Sequence, residues 1–219
     1  VVEKPVDSAR KRRRRELAKE EILEAAKKVL LSKGLGGLTL AAVARELKLT
    51  KAALYYYFDA KEKLIFELVY LGLATHAEAV GTAIEATDSG PRAIEALIRT
   101  SADHYGKRMD QLRLAYLVPQ VGTAAAARFD AEMLTRIRPF NDRIYGGVAT
   151  RISADQDAGR IDPSIDGRRL AFLAHMSVIG MLTVEGLVDV TDEAPLIHSH
   201  EAMVDELVCS FQARLGQTS

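Results

Sequence analysis

The sequence predicts an all-α protein, with a three-helix N-terminal head and a body of about six helices. Three observations carry this expectation. Apolar residues recur at i, i+3, i+4 and i+7 in one segment after another. Clusters such as Asp88-Ser89-Gly90-Pro91 and Gly159-Arg160-Ile161-Asp162-Pro163 separate those segments. No segment of any length alternates with strand period, and no repeat of solenoid period appears. At 219 residues, 48% apolar and 27% charged, the chain has ample length to bury a core.

Residues 1–15 contain Pro5 and the run Lys11-Arg12-Arg13-Arg14-Arg15. They read as a flexible basic arm, either solvated or following a polyanion such as the DNA backbone. Glu16 to Lys33 is the first predicted helix. Ile22, Ala25, Ala26 and Val29 form its inward stripe, and Glu20, Glu21 and Glu24 precede Lys27 and Lys28 in the favourable order for i,i+4 pairing. Gly34 is placed to end it as a left-handed cap.

Leu38 to Lys61 then reads as two short helices joined by a tight turn. Leu40, Val43, Ala44 and Leu47 make one apolar stripe, with Thr39 as N-cap. Lys48 and Leu49 form the turn. Thr50 caps a second helix, Lys51 to Phe58, whose Leu54 and Phe58 pack inward together with Leu49. Lys51, Ala52, Ala53, Tyr55, Tyr56 and Tyr57 point away. A cation, three phenols and small residues suit a groove lined with phosphates and base edges, since phenol hydroxyls and ammonium groups donate to phosphate oxygens. Two helices, a short turn and an outward second helix make a helix-turn-helix.

The string Thr50, Leu54, Tyr55, Tyr57, Phe58, Lys61 and Leu64 resembles the DNA-binding signature of the TetR family of bacterial transcriptional regulators. The helix Ile22 to Leu31, the Gly34/Gly36/Gly37 loop and Thr39 are similar to that family's N-terminal layout. The resemblance covers about the first quarter of the chain. Carried over by motif position, it implies that Lys51, Ala52, Ala53 and Tyr55 reach base edges, the alanines touching thymine methyls. Thr39, Thr50, Tyr56, Tyr57 and Lys61 would hold phosphates. Alanines leave base readout thin, so DNA shape should contribute to specificity. The expected partner is double-stranded operator DNA with a pseudo-palindromic site.

Lys61 opens a long helix to about Ala86, with Leu64, Leu68, Leu71 and Thr75 in one stripe and Ile65 and Val69 widening it. Arg92 to about Met109 follows, with Ile94, Leu97, Ile98 and Ser101 inward. Leu112 to Val118 is a short apolar helix stopped near Pro119. Gly122-Thr123 precedes a helical stretch from Ala124 to about Ala158, which Pro139 should kink or interrupt. Asp166 to about Val188 and Glu201 to about Leu215 are the last two helices, with Asp189 to Ser199 irregular between them. The organisation expected is a basic arm (1–15), a DNA-binding domain (16–63) and a ligand-binding and dimerisation domain (64–219).

The formal net charge of zero hides an asymmetry. Residues 1–63 carry 16 Lys+Arg and 9 Asp+Glu, a balance of +7, and residues 64–219 carry −7. A basic head on an acidic body fits a DNA-binding domain joined to a part that avoids DNA. The single cysteine, Cys209, excludes an internal disulfide framework and fits a reducing cytoplasm. No stretch reads as a membrane helix, and the charged N-terminus does not read as a signal peptide.

No Walker loop, G-x-G-x-x-G or G-x-S-x-G is present, no cofactor is expected, and His198-Ser199-His200 lacks the further ligands a metal site needs. On the middle helices Tyr70, Leu97, Ser101, His104, Tyr105, Met109, Tyr116, Phe140, Tyr145, Phe172, His175, Met176 and Ile179 combine apolar walls with a few polar groups. They form the candidate lining for a mostly apolar small-molecule effector. On the last two helices Ala171, Ala174, Ser177, Val178 and Met181, with Val204, Leu207, Val208, Phe211 and Leu215, form the candidate homodimer face. The resemblance implies the same four-helix interface. The alternative for these stripes is closure of the chain's own core. The expected function is a one-component regulator, a repressor that an effector releases from its operator. A ligand-independent architectural DNA-binding protein and an all-α enzyme are the competing classes.

Overall fold

The computed structural model describes residues 5–117, 131–186 and 198–216. Nine helices account for the secondary structure among these residues. They are α1 (Pro5–Gly37), α2 (Leu40–Glu46), α3 (Lys51–Tyr57), α4 (Lys61–Glu85) and α5 (Gly90–Gly106). Next come α6 (Met109–Leu112, continuing as a π-helical turn Arg113–Leu117) and α7 (Ala131–Asn141, a π turn Asp142–Gly146, then Gly147–Asp157). The last two are α8 (Gly167–Glu185) and α9 (His200–Gly216). The expected helix stop near Pro119, the Gly122-Thr123 break, the helix start at Ala124 and most of the irregular 189–199 stretch lie outside the described residues. The chain divides into two compact units, with the described residues through Tyr70 in the first and those from Leu71 onward in the second.

In the first unit α1 begins at Pro5, eleven residues before the expected Glu16. No breaker lies between Pro5 and Lys33, Arg, Lys, Glu and Ala are good helix formers, and proline is tolerated at a first helical position. Gly34 interrupts the helical backbone at φ 65° and ψ −176°. That conformation is open to glycine alone, and its ψ is not that of the left-handed cap expected from sequence. Ile22, Ala25, Ala26 and Val29 are all buried, as are Leu40, Val43 and Ala44 on α2 and Leu54 and Phe58 at α3.

On α4 the expected stripe holds at Leu64, Ile65, Leu68 and Val69 but fails at Leu71, which is 45% exposed, and at Thr75. The buried positions further along are His76, Ala77, Val80 and Ile84. By length and hydropathy α4 would pass as a membrane span, which the sequence reading did not anticipate. More than half of its apolar window is buried in protein, as in a core helix.

The core of the second unit is built from α5, α7, α8 and α9 around Ile94, Leu97, Ile98, Val148, Ala174 and Val178. Asp155 of α7 ties two of these helices together. Its Oδ2 accepts from the Gly90 N–H at 2.8 Å, capping α5 where Ser89 makes no side-chain cap. Its Oδ1 accepts from Arg160 Nε at 3.0 Å. A β-carbon at Gly90 would fall 2.8 Å from Ile152 Cγ1 and 3.2 Å from its Cα, so this close approach needs glycine. Asp166 caps α8, accepting from the Arg169 N–H at 2.9 Å. Pro139 sits inside α7 without ending it. It removes one backbone donor, and the wider π turn begins three residues later.

Candidate nucleic-acid interface and effector site

The helix-turn-helix is fixed by its two caps. Thr39 Oγ1 accepts from the Ala42 N–H at 3.0 Å and Thr50 Oγ1 from the Ala53 N–H at 3.1 Å. Each cap engages the hydroxyl only as an acceptor, so its own proton is available to a phosphate oxygen. Lys48 turns the chain with φ 54°, in the left-handed region, and the Leu49 N–H then donates to the Ala44 carbonyl at 2.8 Å. This turn sends Leu49 outward. It is 43% exposed and does not join Leu54 and Phe58 in the core, contrary to the sequence expectation.

The outer face of α3 exposes four of the six residues that the sequence placed there. Lys51, Ala52, Tyr55 and Tyr56 are exposed, while Ala53, Tyr57 and Lys61 are half-buried. Cations flank the phenols. Lys51 Nζ lies 5.5 Å from the Tyr55 ring centre, Arg15 Cζ lies 5.7 Å from that of Tyr56, and Tyr56 meets Tyr57 edge-on at 5.2 Å. Arg15 was legible in the sequence only as part of a charge run. Its helical placement on α1 puts it beside the α3 phenols.

In the second unit the candidate effector residues gather into a cluster of stacked rings. It has a member the sequence reading missed, His76 of α4. His76 stacks on Tyr105 at 4.5 Å and on His175 at 4.9 Å, and its Nε2 lies 3.0 Å from Ser101 Oγ. His104 meets His76 edge-on at 5.3 Å and pairs its Nε2 with Gln111 Oε1 at 3.3 Å. His175 Nδ1 is 2.7 Å from the Tyr145 hydroxyl. Tyr116 and Tyr145 both sit in the π turns, Arg113–Leu117 and Asp142–Gly146, a kind of distortion frequent at functional sites. The only sequence signal for His76 is a lone imidazole within the run Leu73-Ala74-Thr75-His76-Ala77.

Burial dominates the electrostatics. It pushes the His175 imidazole down to about 4, and it holds His76 well below the usual imidazole range with help from its two histidine neighbours. His104 is lowered too, again by burial first. The Tyr105, Tyr116 and Tyr145 phenols are all raised, with burial as the main cause. The cluster is therefore neutral near pH 7. Among the described residues no group of three or more His, Cys, Asp or Glu is arranged to hold a metal ion.

Of the remaining predicted lining, Leu97 and Ile179 are buried in the same core, and Met109, Tyr116, Phe140 and Met176 pack against it half-buried. Phe172 does not point inward. It is 46% exposed and reaches the cluster only edge-on to Tyr145, because it lies one residue round the helix from the buried Ala171. Tyr70 belongs to the first unit, half-buried 6.0 Å from Phe66. A cavity of about 410 Å³ opens in the second unit among the apolar Ala102, Met109 and Leu182 and the polar or charged Asp103, Lys107, Glu185 and His200, with Met109 the one predicted lining residue on its wall. There His200 Nδ1 pairs with Glu185 at 2.9 Å.

The candidate dimer residues divide in two. Ala171, Ala174, Val178, Val204, Val208 and Leu215 are buried inside the chain's own core and present no surface to a second copy. These stripes close the monomer. Ser177, Met181, Leu207 and Phe211 are half-buried at the edge of that core. The opposite face of α8 exposes Leu173, Gly180 and Val184, and that of α9 exposes Ala202, Cys209 and Ala213.

Residues 22–68 match the family model described as bacterial regulatory proteins, tetR family. HTH-type transcriptional regulators Rv1816 of Mycobacterium tuberculosis and Mb1846 of Mycobacterium bovis are each 29% identical over 144 residues. Those alignments cover 64% of this chain and 62% of each relative, so the chain spans under two thirds of their length. A tetR-family bacterial regulatory protein from Rhodococcus RHA1 has the same fold, with a TM-score of 0.68 at 16% identity, over 92% of this chain and 98% of that one. FadR from Bacillus subtilis, solved in complex with stearoyl-CoA, gives 0.65 at 12% identity over 89% and 98%.

Proposed function

This chain belongs to the TetR family of bacterial regulatory proteins, and from that premise we propose that it is a cytoplasmic one-component transcriptional regulator whose operator binding is released by a small molecule. The observation that carries the reading is the outer face of α3, where Lys51, Tyr55 and Tyr56 stand exposed with Arg15 beside them. Nothing in the folding of the first unit requires cations against exposed phenols, whereas a phosphate-lined groove does. Lys51, Ala52, Ala53 and Tyr55 read base edges, and Thr39, Thr50, Tyr56, Tyr57 and Lys61 hold phosphates. A homodimer presents two such helices to half-sites about 34–36 Å apart. We assign its interface to the exposed faces of α8 and α9, centred on Leu173, Gly180, Val184, Ala202, Cys209 and Ala213 in place of the buried residues.

The effector acts in the second unit, at the ring cluster and its surroundings. The absence of a charged side chain within the cluster favours a neutral or weakly polar guest over a phosphate ester. FadR from Bacillus subtilis, which shares this fold, binds stearoyl-CoA, a ligand with a long apolar chain and a phosphorylated head, so the fold by itself does not choose between the two kinds of guest. Helix α4 starts in one unit and ends in the other, about 37 Å along. A ligand that prefers one body conformation shifts the spacing of the two heads through α4, and linkage then weakens DNA binding.

Selection of binding sites from random DNA tests the reading with two variants. Lys61→Ala should weaken binding to all sequences and flatten the salt slope by about 0.9. Lys51→Ala should relax sequence preference at a defined base pair, by about 1–3 kcal/mol if it pairs with guanine. Recovery of no enriched, salt-sensitive site by the unmodified protein would overturn the function, and identical behaviour of the two variants would overturn the sorting of contacts.

A further inference from the structure

We propose that the N-terminal extension of α1 is a helical clamp for the DNA phosphates that flank the half-site, gripping them with Lys11, Arg12, Arg15 and Lys19. This deepens the proposed function and rests on its reading of α3 as the helix that faces DNA. The starting observation is that the basic run belongs to α1, which is helical from Pro5, eleven residues ahead of Glu16. Arg10 to Arg15 are exposed throughout. Among the described residues no carboxylate pairs with Arg10, Lys11, Arg12, Arg13 or Arg14. Like charges face each other along the helix, as at Lys11 and Arg15 four residues apart, and such pairs destabilise it. A polyanion at this surface removes that repulsion.

Helical winding sorts these cations into two sets. Arg15 Cζ lies 5.7 Å from the Tyr56 ring centre, and Lys19 Nζ lies 5.8 Å from that of Phe58. That side of α1 therefore adjoins α3. At about 100° per residue, Lys11 and Arg12 fall within about 60° of Arg15, one turn earlier. They continue the same stripe past Tyr56. Arg10 and Arg13 fall on the far side, with Leu17. Glu20, Glu21 and Glu24 gather on that far side as well, in a groove lined also by Leu17 and Leu47. Cations beside α3 and carboxylates turned away suit a polyanion that approaches from one side.

The shape of the extension decides which part of a duplex it meets. An α-helix with its side chains is about 10–12 Å across and the minor groove about 6 Å wide, so the extension does not enter that groove as an unfolded arm would. In the proposed complex α3 already fills the major groove. What remains for a helix beside α3 is the backbone along the groove's edge, where ammonium and guanidinium groups reach phosphate oxygens. Such contacts carry no base information. From Lys11 to Lys19 the stripe runs about 12 Å, against about 3.4 Å of duplex axis per phosphate on one strand, so it engages more than one.

Fluorescence anisotropy of the full chain across a potassium chloride series tests this, on a labelled duplex selected from random DNA and carrying about one helical turn of flanking sequence on each side. The double variant Lys11→Ala/Arg12→Ala should flatten the salt slope by about 1.8 for each copy of the chain bound, at about 0.9 per lost phosphate contact, with the selected sequence unchanged. Arg10→Ala/Arg13→Ala makes the same change in net charge on the far side and should shift the slope by less than half as much. Alanine is the best helix former, so both variants keep α1, which circular dichroism checks. Trimming the flanks should weaken the unmodified chain and leave Lys11→Ala/Arg12→Ala nearly unchanged. Equal slopes for the two double variants would overturn the placement of the stripe. An A·T preference in the flanks that Lys11→Ala/Arg12→Ala abolishes would put the segment in the minor groove and overturn the helical clamp. Unaltered DNA binding by that variant would overturn it too, and a loss of binding to phosphatidylserine vesicles instead would assign the stripe to a membrane surface. Failure of the unmodified chain to bind any duplex would overturn the proposed function itself, and the clamp with it.

Discussion

Acidification should loosen the body at a named side chain. His175 is buried neutral, with its ring held down to about 4, against 6.5 in an unfolded chain. Above pH 6.5 both states leave the ring neutral and the group has no effect on stability. As the pH falls from 6.5 toward 4, only the unfolded chain takes up the proton, so stability is lost across that window. At pH 5 the loss is about 2 kcal/mol relative to pH 7.5, using 1.36 kcal/mol per pH unit. His76 is shifted in the same direction and adds to it. Urea unfolding read by circular dichroism at pH 7.5, 6.5, 5.5 and 5.0 measures this. With a slope of about 2 kcal/mol per molar urea, the midpoint should drop by about 1 M from His175 alone. His175→Gln should have a shallower pH dependence than the unmodified protein. A midpoint that stays constant from pH 7.5 to 5, or a His175 ring resonance titrating near 6.5, would refute the reasoning.

Three further perturbations separate the parts of the structure. Asp155→Ala leaves the Gly90 N–H and the Arg160 guanidinium without their shared partner, and should destabilise the second unit by about 3 kcal/mol in the same urea assay. Thr50→Ala removes the α3 cap and should cost about 1 kcal/mol, with a larger relative loss in DNA affinity than in melting temperature because α3 must be ordered to bind. Leu173→Asp places a charge on the exposed α8 face and should shift sedimentation from dimer to monomer, whereas Val178→Ala should leave the oligomer intact and lower stability by opening the core.

The helix-turn-helix was legible because its residues answer to local rules. Thr39 and Thr50 cap, Leu54 and Phe58 face inward, and Tyr55 and Tyr56 between them face out. The body was legible as helices but less so as surfaces. The stripes on α8 and α9 are real, yet a periodic apolar face looks the same whether a chain's own helices or a second copy cover it. Ala171 and Val204 therefore read as contacts to a partner when they are core. Leu71 continues the α4 stripe in spacing alone, and it is exposed because the packing neighbours change along a helix that runs through two units. His76 went unread because one imidazole in an apolar helix carries no pattern. Its meaning comes from Tyr105 and His175, which are close only after folding. Leu49 depended on a left-handed lysine that no propensity foretells.

The two π turns have a consequence for descent. Each holds its carbonyls with five-residue spacing, and such a turn commonly arises when a single residue is inserted into an α-helix. Removing one residue within Asp142–Gly146 would let the helix relax to ordinary winding with its flanking turns still in register, and only the side chains of the turn itself would be re-aimed. Tyr145 would swing off His175 while the fold survived. A lineage could therefore gain or lose this phenol–imidazole pair by one codon. Relatives that lack the pair should show a one-residue gap in the middle of an otherwise uninterrupted helix.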